Sequence, residues 1–154
     1  MHYFADIILP LGLDKPFTYA LEEVDYNRLI PGYRVAVSFG KSKIYTGIII
    51  RLHQVAPQAY DAKFIEMVLD DTPTVTKEQL QFWNWLSKYY HSRMGDILRA
   101  AIPTTLLLES ENLVVKKQLP DGEEQVLNDD EFLVYEALDT KALSINDISK
   151  ILSK

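Results

Sequence analysis

The chain has 154 residues, 47% apolar and 25% charged, an ordinary globular composition with enough material for one core and part of a second. It contains no cysteine, which excludes disulfides, thiolate zinc sites, iron–sulfur clusters and cysteine nucleophiles. The net charge of −6 sits wholly in residues 106–154, with 5 basic and 11 acidic side chains, whereas residues 1–105 carry 11 of each; this argues against wrapping duplex DNA but leaves room for a small site on the neutral part.

Met1 to Asp6 lacks a basic stretch followed by an apolar run, so no signal peptide is expected and the expected setting is cytoplasmic. Apolar runs such as Ile48–Ile50 and Leu106–Leu108 fall far short of the ~20 residues that span a bilayer. Tyr3–Leu9 reads as a strand, residues 12–16 as a turn, and Phe17–Leu21 as a strand with its aromatics on one face. Pro31-Gly32 marks a second turn. Arg34–Phe39 and Ile44–His53 flank a short glycine loop and predict a β-hairpin; Gly47 inside the second run predicts a bulge or a close backbone approach. Phe64–Leu69 reads as a further strand.

Thr76 with Gln79 forms a capping box that opens a helix carrying Leu80, Trp83, Leu86 and Tyr90 at helical spacing. Gly95 and Asp96 are expected to interrupt it before a short helix over 97–101, stopped by Pro103. Further on, 113–119 predicts a strand, 120–122 a turn, 129–138 a helix with acids in its first turn, and Ser144 the start of another. The expected fold class is α+β and mainly β: a small sheet or partly closed barrel with C-terminal helices over residues 1–105. A linker and an incomplete winged-helix-like segment are expected over 106–154.

Catalytic signatures are weak. Gly40-Lys41-Ser42 mimics the end of a phosphate-binding loop, but Val35 stands where its first glycine is required and a β-branched strand follows instead of a helix. His2, His53 and His91 have no metal-binding spacing. The neighbouring carboxylates Glu22-Glu23 and Asp70-Asp71 would point to opposite faces of a strand, so neither pair forms an acid–base dyad.

Binding is the better reading. Phe17 and Tyr19 share a face near Lys15, and Lys41 and Lys43 follow Gly40; aromatic faces stack bases while cations hold phosphates. The competing reading places these aromatics in the core, and the Trp83, Trp85, Tyr89 and Tyr90 cluster more firmly so.

The ordered series Phe17-Thr18-Tyr19, Pro31-Gly32-Tyr33-Arg34-Val35-Ala36-Val37-Ser38-Phe39-Gly40-Lys41, Gly47-Ile48-Ile49, Lys63-Phe64-Ile65, Trp85 to Tyr90, and Gly95 through Pro103 resembles the amino-terminal domain of the PriA family of bacterial replication-restart helicases. The match covers about residues 3–108, and six short motifs in order are specific where each alone is weak. The resemblance implies capture of the 3′ end of nascent leading-strand DNA at a stalled or branched fork. Carried over by motif, the pocket residues are Phe17, Thr18, Tyr19, Gly40 and Lys63, with Lys15, Lys41 and Lys43 as further phosphate contacts.

Thr18 stands where the family usually has Asp, and Ser38 where it usually has Pro. Thr18→Asp is therefore expected to sharpen selection of a free 3′-hydroxyl. No enzyme activity and no cofactor or metal is expected in this part; ATP, magnesium and zinc belong to the remainder of such helicases. The expected partners are single-stranded or forked DNA with a free 3′ end, single-strand-binding protein and other primosome proteins, with no membrane. The alternative reading is a protein-interaction module of the primosome without direct nucleotide binding.

Overall fold

The computed structural model describes residues 2–40, 43–110, 113–117 and 127–152. The chain divides into two compact units, residues 1–110 and 111–154.

In the first unit the strands are β1 (Tyr3–Ile8), β2 (Phe17–Leu21), β3 (Arg34–Phe39), β4 (Lys43–His53) and β5 (Met67–Val68). They form an antiparallel sheet in the order β2-β1-β4-β3-β5. The alternation of apolar side chains buries both faces. Ala5, Ile7, Tyr19, Val35, Val37 and Ile49 fill the core on one side. Ile8 and Ile48 meet Val75, Trp83, Leu98 and Ile102 on the other, beneath α2 (Lys77–Tyr90) and α3 (Met94–Ala101). A Cβ on Gly47 would lie 2.3 Å from Ile7 Cγ2, so this glycine lets β1 and β4 approach closely. The ladder between them slips by one residue: Ile7 faces Ile49 but Asp6 faces Arg51, leaving Ile50 as the extra residue of a bulge.

The strand ladder is open, yet one irregular segment reaches from its β2 edge to β3. Ala20 of β2 exchanges backbone hydrogen bonds with Lys63 and Ile65, and Glu66 N–H donates to Ala36 of β3. The expected strand over 64–69 is therefore a two-residue strand preceded by a crossing, because residues 63–66 bond first to β2 and then to β3 instead of to one strand. Residues 106–110 line the first half of β4: Leu108 accepts from Thr46 N–H, and Ser110 N–H donates to Ile44.

Three details differ from the sequence expectation. A helix of six residues, α1 (Glu23–Arg28), follows β2; it is too short for an apolar period to register. Gly95 lies inside α3, where a Cβ would come within 1.9 Å of the Leu11 carbonyl oxygen, so it serves close packing; the break between the helices falls at His91, in a left-handed conformation. The α2 capping box forms as expected, but of the expected core cluster only Trp83 is buried; Trp85, Tyr89 and Tyr90 are more than half exposed. The sheet offers a single helix face its cover, and a helix carrying aromatics around most of its circumference must leave some outside.

In the second unit β6 (Leu113–Val114) pairs with β7 (Leu143–Ser144), with α4 (Asp129–Ala137) and α5 (Ile145–Ile151) following in chain order around β7. Asn128 with Glu131 and Ser144 with Asp147 cap the two helices reciprocally. The expected strand over 113–119 is only the two residues Leu113–Val114, with residues 115–117 outside any strand; residues 118–119 and the expected turn at 120–122 lie outside the described residues.

Candidate nucleic-acid interface

Alternation along β2 separates the three residues of its motif. Phe17 and Tyr19 point to the first core, whereas Thr18 points to the opposite face and donates its hydroxyl to Asp6 Oδ1 at 2.7 Å. Tyr19 is only 4% exposed, and its hydroxyl donates to the Ser38 carbonyl at 3.0 Å, tying β2 to the end of β3. Burial, with a smaller contribution from Tyr60, pushes the Tyr19 phenol up to about 12. Phe17 is half-buried and meets the Phe39 ring edge-on at 4.9 Å.

Phe39 leads directly into Gly40, which is exposed with φ +70°, a conformation that glycine adopts without strain. A Cβ there would meet nothing within 4 Å, so the backbone is open to approach. Across from it, the exposed Lys63 ammonium donates to the Gly40 carbonyl at 3.2 Å. Phe17, Gly40 and Lys63 thus gather in one notch at the edge of β2, with Tyr19 as its buried support and Thr18 contributing its main chain. An ammonium has three donors and Gly40 takes one, which leaves capacity for a phosphate oxygen.

The other expected cations are placed differently. Lys15 lies in the exposed turn just before Phe17. Lys43 pairs with Glu109 at 2.7 Å. Lys41 lies outside the described residues.

Sequence reasoning missed Tyr60. Its hydroxyl accepts from Thr18 N–H at 2.8 Å and faces the Thr18 carbonyl at 3.4 Å, and its ring stands 6.2 Å from that of Phe17. Tyr60 is 42 residues from Thr18 in a stretch without regular structure, so no periodicity could have joined them.

Sequence reasoning also missed the support behind Thr18. Asp6 is buried and accepts from Thr18, from Arg51 and from a His53 Nε2 that carries the proton. Burial pushes the Asp6 carboxyl up, but these hydrogen bonds outweigh it and hold the group below the ordinary aspartate value. The bulge at Ile50 is what turns Arg51 toward Asp6.

A hollow of about 330 Å³ lies at the other end of β1 and β2, lined by residues including Phe4, Phe64, Glu22 and Glu23. Its two carboxylates make it a poor seat for phosphate, so the chemistry favours the notch. Among the described residues no group of three His, Cys, Asp or Glu side chains could hold a metal ion, and no helix is long and apolar enough to cross a membrane.

The small antiparallel sheet thus carries at one edge a lysine, an open glycine and a partly exposed aromatic ring. The chain belongs to the family of the 3′ DNA-binding domain (3′BD) of PriA, whose model matches residues 6–103. It is also 27% identical over 139 residues to the replication restart protein PriA of Bacillus subtilis (strain 168), an alignment covering 86% of this chain and 17% of that protein.

Proposed function

We propose that this chain binds the 3′-terminal nucleotide of single-stranded or forked DNA and so directs a replication-restart helicase, and the assembly of its primosome, to a stalled fork. The observation that carries this reading is the joining of Lys63 to Gly40 beside the half-exposed Phe17 ring. The ammonium suits a terminal phosphodiester, the open glycine backbone suits close approach of a sugar, and the ring suits any base. Family membership supports DNA as the polymer. The role is recognition, with chemistry left to other parts of such helicases. In the second unit, the order α4-β7-α5 supports the reading of a winged-helix beginning.

The test is fluorescence anisotropy with 5′-labelled oligonucleotides ending in a 3′-hydroxyl or a 3′-phosphate. Lys63→Ala is expected to weaken binding about ten- to hundredfold, the loss of one charge-assisted contact, while the melting temperature stays within the range of a surface substitution. The salt dependence should be shallow, with a slope of about one to two, because so few phosphates are neutralised. Unchanged binding by Lys63→Ala, or a slope implying about six or more phosphates, would overturn the reading.

The second reading is a docking surface for primosome proteins such as single-strand-binding protein. The exposed ladder of Phe82, Trp85 and Tyr89 on α2, with ring centroids 5.9 and 5.0 Å apart, favours it. Substituting Trp85 and Tyr89 would then abolish partner binding and spare DNA binding.

A further inference from the structure

We infer that Tyr60 is an internal stand-in for the terminal nucleoside, occupying the seat that a 3′-hydroxyl takes when DNA binds; this rests on the end-binding reading above. Ala20 of β2 is bonded by the backbone of Lys63 and Ile65. The neighbouring edge residue, Thr18, is instead met by a side-chain hydroxyl. That one hydroxyl accepts from Thr18 N–H at 2.8 Å and lies 3.4 Å from Thr18 C=O as donor. A sugar hydroxyl has the same single proton and lone pairs, so it can make the same two contacts. A 3′-phosphate at neutral pH is mainly an acceptor and places negative charge against the Thr18 carbonyl.

The resemblance extends beyond the hydroxyl. The Tyr60 ring sits 6.2 Å from Phe17 and tilted by 42°, where a base would meet that aromatic face. Lys63, three residues further on, stands at the notch with its ammonium on Gly40. The Tyr60 ring and hydroxyl match the base and the hydroxyl of a terminal nucleoside, and Lys63 offers the cation that its phosphate would meet. Tyr60 is 43% exposed and lies outside any strand or helix, so its side chain can rotate away without dismantling the sheet. Selection of a free end then resides in the main chain of Thr18, and the side chain at this position is released to bond Asp6 on the opposite face.

The experiment compares the 154-residue chain with Tyr60→Phe and Tyr60→Ala, using 5′-labelled oligonucleotides ending in 3′-hydroxyl or 3′-phosphate, with thermal melts and amide exchange at Thr18. Tyr60→Phe removes only the competing hydroxyl. It is expected to bind the 3′-hydroxyl oligonucleotide about three- to tenfold more tightly, with a smaller gain for the 3′-phosphate. Tyr60→Ala should gain at least as much. The Thr18 amide should lose protection in Tyr60→Phe alone and regain it when the 3′-hydroxyl oligonucleotide is added. If the parent binds 3′ ends and both variants bind them equally or more weakly with intact melts, the stand-in is overturned and end binding survives. If the parent does not distinguish the two ends, the end-binding reading falls and the stand-in falls with it.

Discussion

Thr18 and Asp6 face each other across the β1–β2 ladder, with the threonine hydroxyl giving its proton to a carboxylate that is already buried. A second carboxylate at position 18 would stand against the first. Thr18→Asp is therefore expected to destabilise the fold by about 1–2 kcal/mol at pH 7, from a lost hydrogen bond and like-charge repulsion. Acidification should recover part of this loss, because one of two adjacent carboxyls takes up a proton well above the ordinary aspartate range. Urea unfolding at pH 7 and pH 5 checks it; a variant as stable as the parent at both values would contradict the geometry. This contrasts with the effect expected from family resemblance alone, a sharper grip on a 3′-hydroxyl, since the side chain of residue 18 points to the face opposite Phe17.

At the scale of elements, β2 and β3 are joined by Tyr19 through its hydroxyl on Ser38, beside the notch. The folded phenol titrates at about 12 against an ordinary value of 10.0. A group whose folded value is raised contributes stability that is complete below the unfolded value and is lost as pH rises through the folded one. The window is therefore pH 10 to 12, and the difference corresponds to roughly 2–3 kcal/mol. Tyr19→Phe should be less stable at neutral pH, lacking the Ser38 hydrogen bond, and should show a flatter stability profile across that window. Chemical denaturation at pH 8, 10 and 11.5 reads both effects; equal slopes for parent and variant would show that Tyr19 is not the titrating group.

At the scale of the whole molecule, residues 106–110 are integral to the first unit. The Leu106 carbonyl accepts from the Arg34 guanidinium, which also grips Asp70. Leu108 satisfies Thr46, a residue only 1% exposed. A chain ending at residue 110 is expected to fold cooperatively and bind DNA ends as the parent does. One ending at 105 should lose about 2–4 kcal/mol, because it leaves buried donors on β4 and Arg34 without their acceptors. Thermal melts of the two truncations decide it. Equal stability would show that water replaces these partners without cost.

Local patterning carried much of the fold. The alternation in β1 to β4, the hairpin around Gly40 and the Thr76–Gln79 box each involve residues within a few positions of one another, where period and turn chemistry act directly. The order of short motifs likewise sufficed to point to the family. Tertiary structure decided what depends on distant encounters. It brought Lys63 to Gly40, set Tyr60 on the main chain of Thr18, turned Arg51 to Asp6 through a bulge, and left Trp85 and Tyr89 outside the core. Composition cannot rank which of several aromatics a sheet will cover, because each gains similarly from burial and only the shape of the packed neighbours selects among them.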